Sequence, residues 1–96
     1  MTAIHRNTDS RACGASTVVA GQNTVFANDL LVSVNGDPNS HGSGALSASC
    51  HDVYVNNILV VDLGDSAAPD LLCPTLNGPH CAPSATSASS NVYVGD

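Results

Sequence analysis

A chain of 96 residues with a formal charge of −6 and only Arg6 and Arg11 as basic residues is one domain. It is not built for nucleic acid or an anionic membrane, which select basic patches. Aromatic residues make up 3%, every acidic residue is Asp, and Glu, Lys and Trp are absent; long charged helices are thereby disfavoured, and the core is thin enough to need a staple. No segment approaches the roughly 18 apolar residues of a membrane span, and the first residues lack a signal-like apolar stretch, so the expectation is a soluble chain made in a cytoplasm.

In chain order, "AIHRNTD" (3 to 9) corresponds to the second half of a repeat unit found further along the chain, and is followed by "RACG" (11 to 14). "TVFANDLLVSVNGD" (24 to 37) then reads as two short β-branched strands around a tight turn, because Asn tolerates the positive φ that such turns need. "DVYVNNILVVDLGD" (52 to 65) repeats it: a shift of 28 places pairs Val25 with Val53, Phe26 with Tyr54, Asn28 with Asn56, Leu31 with Leu59, Val32 with Val60, Gly36 with Gly64 and Asp37 with Asp65. The same shift carries Asp9 onto Asp37 and Cys13-Gly14 onto His41-Gly42.

A third copy begins at "NVYVGD" (91 to 96), offset by 39 from "DVYVNN", with 11 extra residues between Asp65 and Val92. Its second half is supplied by "AIHRNTD" at the other end of the chain, so the copies are circularly permuted. The units run about 10–37, 38–65, and 66–96 completed by 1–9. No stretch has a convincing helical apolar period. The expected fold is all-β: one domain of three hairpin units about a pseudo-threefold axis, the third enlarged by "DLLCPTLNGPHC" (70 to 81). One unit cannot bury its own apolar face, so the three must pack together, and equivalent side chains then converge on the axis. The three aromatics, at equivalent strand positions, are expected in the core. The Asp residues are expected to cap strand ends and solvate the surface.

Four His and four Cys without a C-x-x-C pair make ligation an expectation of the repeat rather than of spacing. Cys13 and His41 are in phase. The enlarged unit offers Cys73 and the pair His80-Cys81, of which only one can face the axis from extended chain; His80 is taken. His5 is the best remaining fourth ligand, giving His5, Cys13, His41 and His80, with Cys73 and Cys81 in reserve as thiolate. Three imidazoles and a thiolate suit a closed structural Zn²⁺ site, and iron stays open. Two disulfides are the competing staple. His51 and Cys50 align with Asn23 and Gln22, and with Ser90 and Ser89, and are read as ordinary loop residues. No nucleophile elbow, triad signature or EF-hand pattern occurs, so neither an enzyme nor a calcium protein is expected.

The strands "VFAN", "VYVN" and "VYVG", the endings "NGD" and "LGD", "RACG" and "SHGSG" after an Asp, "AIHR", and "GPHCAPSATSASSNVYVG" together resemble the PAAR-repeat proteins, which tip the spikes of contractile phage tails and type VI secretion systems. The tetrapeptide that names the family is replaced by "AIHR", "VSVN" and "VVDL". The resemblance implies a small cone whose point is held by zinc through three His and one Cys, "AIHR" and "GPHC" favouring His5 and His80. It implies a monomer whose base docks on the blunt end of a trimeric β-helical spike, one tip per trimer. The work would be mechanical: sharpening and sealing the spike as it passes, in transient contact, through the host outer membrane. Lacking room for a toxin domain, the chain would belong to a virion, at a phage baseplate tip assembled in the host cytoplasm. The alternatives are a type VI tip without cargo and a host-surface-binding β-domain.

Overall fold

Asn28 and Asp29 (φ 54° and 67°) and Asn56 and Asn57 (φ 52° and 69°) all take the left-handed conformation. Two such residues in succession match the right-handed twist of paired strands. Each pair therefore folds one two-residue strand back on the next. In the computed structural model, which describes residues 2–48 and 53–94, β2 (Phe26–Ala27) pairs antiparallel with β3 (Leu30–Leu31), and β4 (Tyr54–Val55) with β5 (Ile58–Leu59). At the chain ends β1 (Thr2–Ala3) pairs with β6 (Tyr93–Val94) in the same register: Ala3 faces Tyr93 as Leu31 faces Phe26 and Leu59 faces Tyr54. The protein is a small β-rich domain with little helix, and no helix among the described residues is long and apolar enough to cross a membrane.

Beyond each hairpin the chain enters a ring of backbone hydrogen bonds. The His5 N–H donates to Val61 O (3.0 Å), the Val61 N–H to Ser33 O (3.0 Å), and the Ser33 N–H to His5 O (2.9 Å). Positions 5, 33 and 61 are 28 residues apart. The next tier repeats the spacing: Asn7 N–H to Leu31 O, Asn35 N–H to Leu59 O, and Leu63 N–H to Ala3 O, at 2.7 to 2.8 Å. These bonds satisfy backbone groups that would otherwise be buried without partners.

Each segment then turns sharply, capped by its own Asp. Asp9, Asp37 and Asp65 accept from the N–H of Arg6, Val34 and Asp62 at 2.9, 2.8 and 3.0 Å. The residue before each Asp has positive φ, supplied by Gly36 (93°) and Gly64 (90°) but by Thr8 (72°) in the first segment. Asp9, Asp37 and Asp65 thus cap as expected, but they, Asp62 and Asp70 are buried rather than solvating the surface, while Asp29 is exposed. A carboxylate is well suited to the task, because it accepts several N–H groups at once and holds them in the interior.

Ile4, Ala27, Val32, Val34, Val55, Val60 and Val94 form the main apolar cluster, and Leu46, Val61 and Ala85 a second one beside it. The aromatics lie outside both. Phe26, Tyr54 and Tyr93 are 57%, 58% and 49% exposed, against the expectation of core packing. On a two-residue strand alternate side chains face opposite ways, and Ala27, Val55 and Val94 take the inward places.

Candidate metal centre

Three loops leave the ring and return to it. The Thr17 N–H donates to Asp9 O, the Leu46 N–H to Asp37 O and the Ala85 N–H to Asp65 O, at 2.9 to 3.0 Å, which closes loops 9–17, 37–46 and 65–85. The first two open on the same four-residue turn, which the third reaches three residues later, with Gly14 N–H bonded to Arg11 O, Gly42 N–H to Asn39 O and Cys73 N–H to Asp70 O. Cys13 and His41 occupy the third place of the first two turns, each followed by a glycine of φ near 90°. In the third turn that place is Leu72, and the chain continues through α1 (Cys73–Leu76) and a 3₁₀ turn (Gly78–Cys81). His80 comes from this insertion, whose carbonyl accepts the Asp70 N–H at 2.8 Å.

Donor atoms of Cys13, His41, Asp70 and His80 lie within 4.8 Å of one another. His41 Nδ1 and His80 Nδ1 are 3.2 and 3.3 Å from the same oxygen, Asp70 Oδ2, and Cys13 Sγ is 3.8 Å from His41 Nδ1. Bond lengths of about 2.0–2.3 Å in a tetrahedral zinc site place neighbouring ligand atoms about 3.3–3.7 Å apart, so donors now as much as 4.8 Å apart would have to draw closer around a metal. The group could hold a metal ion. A thiolate and a carboxylate would neutralise a divalent cation, and the two imidazoles would complete a closed shell.

Asp70 is almost completely buried. Burial opposes its ionisation, but the Leu72 N–H and contacts from His80, Cys13 and His41 outweigh that and hold the carboxyl well below the usual carboxylate range. Burial, with Asp70 alongside, pushes the Cys13 thiol up, so a metal would bind there with release of a proton. Asn39 backs the group: its Nδ2 is 3.2 Å from Asp70 Oδ2 and 3.8 Å from Cys13 Sγ, and its Oδ1 accepts the His41 N–H at 2.9 Å.

The structure brings Cys13, His41 and His80 together but not His5. The His5 ring is fully buried among the ring segments, where Nδ1–H donates to Ser87 O (2.7 Å) and Nε2 accepts from the Thr17 hydroxyl (2.6 Å). Both nitrogens are occupied, and burial lowers its pKa. Thr17 also accepts from Arg11 Nε, and the remaining Arg11 donors reach the carbonyls of Gly44, Pro83, Asp37 and Pro38. Desolvation lowers the Arg11 pKa from its ordinary value, yet five hydrogen bonds hold the guanidinium beneath the metal-capable group. The reserve ligands Cys73 and Cys81 are joined as a disulfide, and a disulfide sulfur is no thiolate. Cys50 and His51 lie outside the described residues.

The repeat itself carried the signal against His5, since a shift of 28 aligns it with Ser33 and Val61, neither in phase with Cys13. Asp70 was hidden by the insertion. Asn39 aligns with Arg11, but the same shift lands on Ala67, three residues short of the equivalent turn. Compared with protein-family models and with curated proteins, the sequence matches none.

Proposed function

We propose that this chain is a metal-stapled spike tip: a small cone of three pseudo-symmetric units that caps a trimeric β-helical spike, one chain per trimer, at the end of a contractile tail in a virion. The observation that carries the reading is the closed ring His5–Val61–Ser33. A single chain whose backbone bonds recur every 28 residues can present three similar edges to a partner of true threefold symmetry. In each unit the hairpin precedes the ring and the loop follows it, so the hairpins form the base and the loops form the point. Exposed Phe26, Tyr54 and Tyr93 and the short open strand edges give the base apolar surface and backbone groups for strand addition.

The metal is structural, and zinc suits two nitrogens, a sulfur and an oxygen in a closed shell. Cys13 supplies thiolate, His41 and His80 supply Nδ1, and Asp70 supplies Oδ2, while Asn39 orients three of them. The ligand set is thus two His, one Cys and one Asp. Holding three loops at one point stiffens the end that meets the host envelope.

Native mass spectrometry of the chain co-expressed with a trimeric β-helical spike fragment, combined with elemental analysis, tests both halves. One chain and one metal per trimer are expected. A chain that binds no threefold partner overturns the reading. The same exposed aromatics favour a second reading, a host-surface β-domain stacking on sugars. Glycan binding lost in Phe26→Asp and Tyr54→Asp, without any spike binding, would select it.

A further inference from the structure

The three metal-capable loops are not held alike. Cys13 and His41 sit in loops 9–17 and 37–46, which return directly to the ring, whereas His80 sits in an insertion whose helix and 3₁₀ turn contain no buried residue. Little apolar packing fixes it. Its start is tied to loop 37–46 by the bond from Leu71 N–H to Gly42 O, whereas the bond from Asp70 N–H to His80 O and others such as Leu76 N–H to Leu72 O and Asn77 N–H to Cys73 O are internal to it. The remaining constraint is covalent: Cys73–Cys81 closes the segment that carries His80, and Cys81 is its immediate neighbour. Leu71 lies over Gly42 and anchors only the start of the insertion, and Leu76 is 59% exposed.

We propose that metal binding at Cys13, His41, Asp70 and His80 is linked to the Cys73–Cys81 disulfide. The oxidised chain binds the metal more tightly, and the bound metal in turn protects the disulfide. The inference rests on the metal-centre reading above. Reduction breaks the S–S bond with two electrons and two protons from a dithiol, which closes to its own disulfide, leaving two thiols on the chain. His80 then has to be ordered at the moment of binding, and a loop of this size makes that a penalty on the order of tenfold or more in affinity. Linkage is reciprocal, so the same factor protects the disulfide.

Two measurements on the full chain test this, with Zn²⁺ alone as the probe. In the first, zinc affinity is read by competition with a chromophoric chelator for the oxidised chain, the phosphine-reduced chain, and Cys73→Ser/Cys81→Ser. Binding on the order of tenfold weaker in both opened forms is expected. Equal affinity in all three overturns the linkage while leaving the metal centre standing; tighter binding by the reduced wild type overturns it by assigning Cys73 or Cys81 as ligands. No binding by any form overturns the metal centre itself.

The second measurement needs no substitution: the disulfide's midpoint in glutathione buffers, with and without saturating Zn²⁺. A shift to more negative potential of about 30 mV for each tenfold in affinity is expected. An unmoved midpoint overturns the linkage even where the double variant fails to fold.

Discussion

The ring region and the insertion at 70–81 solve the same problem by opposite means. In the ring, each backbone bond recurs at 28-residue spacing and is backed by small β-branched side chains such as Val32 and Val60, almost wholly buried. In the insertion no helical residue is buried, and order comes from one disulfide and a polar cluster around Asp70. Repetition lets weak interactions cooperate, while a unique segment has to be tied by stronger individual links.

The sharpest way to break this contrast is to test whether a metal joins the loops. His80→Ala should abolish metal retention and remove a large part of the roughly 10 kcal/mol that a structural zinc contributes to apparent folding free energy. Elemental analysis and urea unfolding with and without chelator check it. If chelation leaves the unfolding midpoint unchanged, the loops are held without a metal.

What the sequence disclosed follows the same division. Strands, turns and register were legible wherever the 28-residue repeat was intact, because Asn-Asp and Asn-Asn have one common use between β-branched runs. Cys13 and His41 could be paired for the same reason. Asp70 could not, because the 11-residue enlargement breaks the spacing that would have aligned it with Asn39 and Arg11. The Cys73–Cys81 pairing depends on how that insertion folds back, which no repeat position reports. The exposed aromatics were misread because a two-residue strand leaves facing undetermined by alternation alone; Ala27, not Phe26, faces inward.

Arg11 joins the two regions, with bonds to Gly44 and Pro83 on either side of the insertion and to Thr17 beneath it. Lysine keeps the charge but has neither the planar fork nor enough donors for four carbonyls and a hydroxyl. Arg11→Lys should destabilise the chain by about 2–4 kcal/mol, read by urea denaturation. A smaller cost would mean that the loops are joined mainly by contacts other than those of Arg11.

His5 sharpens the contrast through pH. Burial first of all holds its pKa below the ordinary 6.5, so the folded chain stays neutral there while the unfolded chain takes up a proton. Its contribution is full above the unfolded value and is lost as pH falls from about 6.5 toward the folded value, with a slope of at most about 1.4 kcal/mol per unit. His5→Gln should flatten that part of the profile. Stability of both chains measured from pH 5 to 8 isolates it, since every other group is common to the two; parallel profiles would show that burial of His5 does not shape the pH dependence.

The smallest effect concerns a place where the ring departs from its own repeat. Thr8 has φ 72°, where Gly36 and Gly64 supply 93° and 90°, and a β-branched residue is strained there. A Cβ added at Gly36 or Gly64 would meet nothing within 4 Å, so substitution at those sites reports backbone strain free of packing. Gly36→Ala and Gly64→Ala should each cost about 1 kcal/mol. Thr8→Gly should run the other way, relieving about 1–2 kcal/mol of left-handed strain against about 0.5–1 kcal/mol of added chain entropy, a net gain of about 0.5–1 kcal/mol. Thermal melts of the three variants decide it. Opposite signs of similar size mean that the first turn tolerates Thr8 only because its neighbours, the Asp9 cap and the Thr8 N–H bond to Thr17 O, impose the repeat's geometry on a residue that does not favour it.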